Sequence, residues 1–254
     1  MKTALLAALL AIATHVAHAD TGTAASAATA ASAASGVDPK AAAQRAADDA
    51  ALNQAVQMIR AKQLQAAIDQ ILTPMIAAKE SEHPAASSPT LYCANSPNEA
   101  LLYLVRAAGE KKAAVVVDNS WCTALFMRGF AEIDLGQLGA AEMDFSRAVA
   151  LSPNNPRYLS ELGALHVRKH EWPLALALYR RALDAAPAFA SAGRANAELG
   201  VALRGIGYVD VEIGNLDEAE SSYRRALEID ANDQKSRAEL GYVLAQKAKA
   251  AAAR

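Results

Sequence analysis

Two stretches of equal length decide the fold of this chain. Residues 125–153 read LFMRGFAEIDLGQLGAAEMDFSRAVALSP, and residues 159–187 read LSELGALHVRKHEWPLALALYRRALDAAP. Six positions recur between them at a spacing of 34: Leu125, Gly129, Ala141, Phe145, Ala148 and Pro153 return as Leu159, Gly163, Ala175, Tyr179, Ala182 and Pro187. This self-similarity predicts a tandem structural repeat.

The spacing has a physical cause. Two helices of about three turns and two short turns use roughly 34 residues, with small residues where the helix axes approach most closely. We therefore expect an all-α fold, an α-solenoid of antiparallel helix hairpins in which Phe145 fills the space between neighbouring hairpins. Pro153 and Pro187 are expected to end second helices, and Asn155-Pro156 to begin the next as N-cap and first-turn proline.

A third copy follows after 44 residues, with its matched positions at Leu203, Gly207, Ala219, Tyr223 and Ala226. The ten extra residues contain no proline. We expect them to lengthen the first helix of this copy into one helix over about 190–213, with an ordered loop as the alternative. Residues 234–254 match only the first half of a repeat and predict a C-terminal capping helix, which a stack of repeats needs to stay soluble.

The pattern resembles the tetratricopeptide repeat, in three copies over residues 122–155, 156–189 and 200–233. It departs from that family's consensus by lacking the early Trp, and by placing Glu132, His166 and Asp210 where the first helix usually has Tyr. The resemblance implies a superhelix of hairpins. It also implies a non-catalytic protein–protein interaction module whose first helices line a concave groove.

The resemblance further implies that partner contacts come from fixed positions on the first helices. Carried onto this sequence, these positions combine aromatic rings with arginines, residue types enriched in binding hot spots. The candidate groove residues are Phe126, Phe130, Ile133, Arg157, Ser160, Val167, Arg168, Arg204, Tyr208 and Glu212. Alternatively, Phe126 and Phe130 are covered by N-terminal helices, which would close the groove at that end. The family's carboxylate clamp is missing, so chaperone tails are not the implied ligand.

The N-terminus has the three parts of a secretory signal peptide. Lys2 supplies a positive charge, residues 4–14 form an apolar run, and Ala17-His18-Ala19 is a small-x-small cleavage pattern. The run is shorter than the roughly 20 residues of a membrane span. We expect residues 1–19 to be removed, residues 20–36 to form a flexible Ala/Ser/Thr linker, and the product to be periplasmic or secreted, with no stable membrane insertion.

Residues 37–118 predict an irregular N-terminal helical region, a degenerate repeat. Residues 41–60 and 64–78 are expected to form helices, and Ser96-Pro97-Asn98-Glu99 is a capping box that opens another. Residues 80–95, rich in Pro and Ser, are expected to form a loop. Residues 115–117 alone would suggest a strand, but the 34-residue register favours the tail of a helix.

The two cysteines, Cys93 and Cys122, present a conflict. An exported chain favours a disulfide. One straight helix over residues 97–117 would instead separate its ends by about 30 Å, whereas a bridge needs Cα atoms within roughly 7 Å. The bond would require a chain reversal near Gly109-Glu110. We follow the repeat register and expect two free thiols.

No motif for chemistry is present in the sequence. The net charge of −2 argues against a nucleic-acid binder. There is no HExxH, GxSxG, phosphate-binding glycine loop or CxxC. His166 and His170 lie four apart but lack a completing ligand set, so neither a metal nor a cofactor is expected. We predict a non-enzymatic scaffold of the bacterial cell envelope that binds a protein or peptide partner. The alternative is a self-associating structural subunit of an envelope assembly.

Overall fold

The computed structural model describes residues 38–84 and 89–252. The predicted signal peptide (residues 1–19) and the predicted linker (residues 20–36) lie outside the described residues. Among the described residues, those from Ala47 onward form one compact unit, and residues 38–46 belong to another. The unit from Ala47 onward contains the repeats, the β-strands and the sites described below. It confirms the predicted all-α solenoid of consecutive, tightly packed helices.

The described residues form helices with one small sheet between them. In chain order the elements are α1 (Pro39–Arg60), α2 (Leu64–Ala67), a π-helical turn (Ile68–Leu72), α3 (Thr73–Glu82), β1 (Thr90–Ala94), α4 (Pro97–Gly109), β2 (Ala114–Asp118), α5 (Ser120–Asp134), α6 (Leu138–Leu151), α7 (Pro156–Arg168), α8 (Trp172–Phe189), α9 (Ala195–Glu212), α10 (Leu216–Ile229) and α11 (Gln234–Ala252).

The three repeats are the helix pairs α5/α6, α7/α8 and α9/α10, and each pair is closed by the same turn. Gly136, His170 and Gly214 occupy equivalent positions with positive φ, at 78°, 57° and 84°. The residue after each donates its backbone N–H to a carbonyl five residues back, at 2.7–2.9 Å, which is the bond that ends a helix in a Schellman motif. The 34-residue spacing therefore repeats a specific backbone turn.

Glycines let aromatic rings approach the first helices closely. A Cβ on Gly129 would lie 2.7 Å from the Phe145 ring, and one on Gly207 would lie 2.8 Å from the Tyr223 ring. Phe145 thus packs within its own hairpin, although we expected it between hairpins. Tyr179 does both, because it packs on Gly163 of its own hairpin and on Gly205 of the next.

Helix starts follow the expected capping chemistry. The Asn155 side chain accepts hydrogen bonds from the backbone N–H groups of Arg157 and Tyr158, which confirms the predicted N-cap of α7. At α4, the Ser96 hydroxyl accepts from the N–H of Glu99. The Glu99 carboxylate accepts in return from the N–H of Asn95, one residue earlier than a capping box requires.

The region before the repeats contains a β-α-β unit that the sequence did not predict. Strand β1 pairs in parallel with β2, with Cys93 opposite Val117, and α4 is the crossover between them. The expected loop up to residue 95 and the expected helical tail at residues 115–117 were therefore wrong in these segments. Alternate residues of β1 face opposite ways: Tyr92 packs with Tyr103 of α4, while Cys93 enters the main core.

The prediction of two free thiols was also wrong. Cys93 and Cys122 form a disulfide with their Cα atoms 6.3 Å apart. The single straight helix on which the prediction rested does not exist, because the chain reverses after Gly109 at Lys111, which has a φ of 56°. The return strand then runs beside β1 and brings α5, which carries Cys122, close to Cys93.

The ten extra residues of the third copy do not form the long helix expected over residues 190–213. Compared with the preceding repeat, they extend the end of α8 by four residues, the turn by one, and the start of α9 by five. Gly193, with a φ of 71°, lies in the turn. Pro187 was expected to end the second helix but lies inside α8, which continues to Phe189. The Phe189 ring reaches 5.5 Å from Tyr103, so the longer helix contacts the β-α-β unit.

The helix α11 covers the end of the stack. Val243 is fully buried against Ala219 and Tyr223 of α10. Lys247 forms ion pairs with Asp217 and with Glu220, the latter at 2.7 Å. This helix therefore buries the open face of the third hairpin and leaves its own outer side in solvent, as expected of a cap.

Candidate functional site: the first helices of the repeats

The predicted groove residues lie on α5, α7 and α9, the first helices of the three repeats. Arg168 and Glu212 are exposed. Six are partly exposed: Phe130, Ile133, Arg157, Val167, Arg204 and Tyr208. Phe126 and Ser160 are buried, so neither can contact a partner in this conformation.

An aromatic cluster joins the first two repeats. The Phe126 ring centroid lies 4.8 Å from that of Phe130 and 5.0 Å from that of Tyr158 on α7. The ring centroid of Phe145 on α6 lies 5.8 Å from that of Phe126. The Arg157 guanidinium stands 4.8 Å from the Phe126 centroid, which is a cation–π geometry. Phe126 is thus the buried support of the cluster, while Phe130 and Arg157 keep part of their surface accessible.

The middle helix α7 carries a buried carboxyl beside these groups. Glu161 is nearly inaccessible, and burial raises its pKa to about 7, with Glu198 of α9 adding to the shift. The positive charges of Arg157 and Arg168 oppose that shift. A group with this pKa exchanges its proton near neutral pH. The charge of this part of the surface therefore changes with pH in the physiological range.

Helix α9 presents a pinned arginine and a tyrosine. The Arg204 guanidinium lies 2.5 Å from the carboxylate of Asp233, the residue that caps α11. Burial and the neighbouring Glu212 raise the pKa of the Tyr208 hydroxyl. Arg204 is therefore tied to the capping helix, which leaves Tyr208 and Glu212 as the more available groups of the third repeat.

Sequence reasoning missed several acidic partners in this region. Glu198 pairs with Arg194 at 3.1 Å, and Asp233 accepts hydrogen bonds from the start of α11. Arg194 and Glu198 lie four residues apart at the start of a helix, a spacing that indicates an ion pair. The pairing of Arg204 with Asp233 joins residues 29 apart, and no local pattern indicates it.

One cluster has the residue types of a metal site. Ligand atoms of Glu142, His166 and Glu171 lie within 4.8 Å of one another. The imidazole Nδ1 of His166 is 2.5 Å from a Glu171 oxygen. The ammonium group of Lys169 lies 2.9 Å from Glu142 and 3.1 Å from Glu171, so a positive charge already bridges the two carboxylates. His170, the other histidine considered from the sequence, lies in the turn at positive φ.

Family models of the tetratricopeptide repeat match residues 123–155 and 156–232. These boundaries enclose the three helix hairpins and the side chains described above. Residues 123–232 of the chain therefore consist of tetratricopeptide repeats. Repeats of this family are typically non-enzymatic interaction modules.

Solved structures with the same fold include PilF of Pseudomonas aeruginosa, at 12% sequence identity and a TM-score of 0.56, covering 82% of this chain and 72% of that one. A MamA double mutant is 18% identical over 79% of this chain and 84% of its own, with a TM-score of 0.47. The first tetratricopeptide domain of Spaghetti (RPAP3), bound to an HSP90 peptide, is 20% identical over 52% of this chain and 99% of its own, with a TM-score of 0.45.

Curated protein sequences contain no match to this chain. The similarity to PilF, at 12% sequence identity and a TM-score of 0.56, concerns the fold alone. None of the helices within residues 38–84 and 89–252 combines the length and the hydropathy of a membrane span.

Proposed function

We propose that the first helices α5, α7 and α9 form a groove that binds a peptide segment of a partner protein, and that the chain acts as a scaffold in the bacterial cell envelope. The contact of Arg157 with the Phe126 ring carries the proposal. It joins the first helices of two repeats into one surface, which carries the partly exposed Phe130 ring and has Arg157 and Arg168 at opposite ends of α7.

The chemistry of this surface favours an extended peptide with both apolar and acidic side chains. Phe130 and Val167 offer apolar area that is already partly desolvated. Arg157 and Arg168 offer guanidinium groups, which bind carboxylates in a bidentate geometry. Aromatic and arginine side chains are the residue types that dominate hot spots at protein interfaces.

The proposed location in the envelope draws on two independent features. The N-terminal segment has the pattern of a secretory signal peptide. The disulfide between Cys93 and Cys122 is the second feature, because structural disulfides persist in oxidising compartments such as the periplasm. Export would place the groove among the assemblies of the envelope.

A pull-down from periplasmic extract tests the groove. The wild-type chain is compared with Phe130→Ala/Arg168→Ala, which removes one apolar and one cationic group from the proposed surface. The matched control is Leu174→Ala/Arg225→Ala, which makes the same kinds of change at exposed positions on the second helices α8 and α10.

We expect the groove variant to capture at least tenfold less partner protein than the wild type and the control do. Each hot-spot truncation lowers the binding free energy by about 2 kcal/mol or more. Equal capture by the groove variant and the wild type would refute the proposal. Far-ultraviolet circular dichroism of all three proteins checks that the helices are intact.

A further inference from the structure

The helix α4 forms an outer layer of the β-α-β unit. Its inner side packs on the sheet through Tyr103 and Ala107, which are buried, and the Tyr103 ring stacks on Tyr92 of β1 at 4.8 Å. Glu99 is also buried and accepts a hydrogen bond from the Tyr103 hydroxyl at 3.1 Å. Three inward positions over two turns are thus enough to hold this helix on the sheet.

The outer side of the same helix is apolar and open. Leu101 and Val105 are 61% and 60% exposed, and Leu102 and Leu104 are 40% and 41% exposed. Single exposed aliphatic residues are common on proteins, but contiguous apolar patches mark interaction surfaces. We refer to these four residues of α4 as the α4 patch.

Positive charge gathers at the C-terminal end of the α4 patch. Arg106, Lys111 and Lys112 follow the aliphatic run, and Glu110 is the one carboxylate among residues 95–113 that stands on the surface. Glu110 pairs with Arg106 at 3.0 Å and with Lys112 at 2.8 Å. Three cations against one carboxylate leave a net positive charge beside the exposed leucines.

We propose that the α4 patch adsorbs to the surface of an anionic lipid bilayer. The aliphatic side chains would enter the boundary between headgroups and acyl chains, and the cations beside them would meet lipid phosphates. A helix with leucines on one side and basic residues next to them is the usual form of an interfacial anchor. Attraction to anionic lipid adds to the apolar contribution of each such residue.

Size and composition favour lipid over a folded protein partner. A standard protein interface uses about 20–30 residues on each side, whereas the α4 patch has four. The patch is also purely aliphatic, while protein hot spots are rich in Trp, Tyr and Arg. The patch lies on the outer side of a single helix, so it is convex and offers no pocket for a side chain of a protein partner. The groove on α5, α7 and α9 plays no part in this proposal.

Vesicle flotation of the full chain tests the proposal. Vesicles of phosphatidylglycerol mixed with phosphatidylcholine are compared with vesicles of phosphatidylcholine alone. The test variant is Leu101→Gln/Val105→Gln, and the matched control is Leu174→Gln/Ile213→Gln, which changes two exposed aliphatic residues elsewhere on the chain. All proteins share the same N-terminal residues, so differences between variants report α4 alone.

We expect the wild type and the control to float with the anionic vesicles. The α4 variant should partition into them roughly 30-fold more weakly, because two half-exposed aliphatic side chains no longer bury apolar area in the bilayer. Lys111→Gln should weaken binding about fivefold on anionic vesicles and leave binding to neutral ones unchanged. Added salt should reproduce the effect of Lys111→Gln.

Three results would overturn the proposal. The wild type could fail to float, or the α4 variant could float as well as the wild type. Alternatively, light scattering could show a dimer in solution that Leu101→Gln/Val105→Gln dissociates, in which case a second copy of the chain covers the patch. Because the substituted positions are exposed, unchanged urea midpoints serve as the check that every variant is folded.

Discussion

Replacing Gly205 with alanine probes how tightly the second and third hairpins pack. A Cβ at Gly205 of α9 would lie 2.4 Å from the Tyr179 ring, which is far inside van der Waals contact. Tyr179 is buried, so its ring cannot move aside into solvent. Gly241 of the capping helix is the matched control, because a Cβ there meets nothing within 4 Å.

The expected magnitude combines two opposing effects. Overpacking a buried site costs typically about 1–3 kcal/mol, and the very short approach places Gly205 at the upper end. Alanine in a helix interior gains about 1 kcal/mol over glycine. We therefore expect Gly205→Ala to lower the free energy of unfolding by about 2 kcal/mol, and Gly241→Ala to raise it by up to about 1 kcal/mol.

The other repeat glycines extend the test into a series. The closest approach to a ring is 2.7 Å at Gly129, 2.8 Å at Gly207 and 3.3 Å at Gly163. Destabilisation by alanine should decrease in that order after Gly205. The distance of 3.3 Å at Gly163 leaves room for adjustment, so its variant should be close to neutral.

Urea denaturation followed by circular dichroism measures each free energy of unfolding. A double variant, Gly205→Ala with Tyr179→Leu, supplies the internal check. Removing the Tyr179 ring should make alanine at position 205 far less destabilising. The changes in unfolding free energy of the two substitutions should therefore not add. The reasoning is refuted if Gly205→Ala is as stable as Gly241→Ala, or if the cost persists without the tyrosine ring.

Three further predictions concern the body that supports the site. Cys93→Ser should lower the free energy of unfolding by about 3–4 kcal/mol, which is the loop-closure value for a separation of 29 residues. Urea titration of the wild type with reductant should show the same loss. Alkylation of two thiols in the folded, unreduced protein would contradict this prediction. Lys79→Met should lower the free energy of unfolding by about 3–5 kcal/mol, because it removes the ammonium group that lies 2.6 Å from the buried Asp48 carboxylate. Adding Asp48→Asn should recover part of this loss in the same urea titration. The pKa of Glu161 is raised from 4.5 to about 7, so the folded state retains a proton that the unfolded state releases. Its contribution makes stability fall as pH rises from about 4.5 to 7, and Glu161→Gln should flatten that slope in urea midpoints measured across the range.

The repeat was predictable because its determinants are close in sequence. A small residue at Gly129 and a large ring at Phe145 belong to one hairpin, and the turn at Gly136 lies between them. The residues that determine the packing of each hairpin therefore lie within 34 positions of one another. The N-cap at Asn155 was predictable for the same reason, since its hydrogen bonds reach only two and three residues along the chain.

The candidate groove was predictable as a set of positions and not as a set of accessible groups. Helical spacing places Phe126 and Phe130 on the same side of α5, but it cannot say which ring is covered. That depends on Tyr158 and Arg157 from the next repeat, whose side chains bury Phe126 and leave Phe130 partly exposed. Exposure is a property of the assembled surface.

The sequence by itself determined the stacked hairpins, their turns and the capping helix, because each arises from local spacing of small, large and capping residues. Only the tertiary structure decided the β-α-β unit and the bond between Cys93 and Cys122. Paired residues of the parallel strands β1 and β2 lie 24 positions apart in the chain. The sequence of valines in β2 does not indicate which segment it pairs with. A single reversal after Gly109 replaces one long helix by a crossover, brings the cysteines together, and leaves the leucines of α4 facing outward.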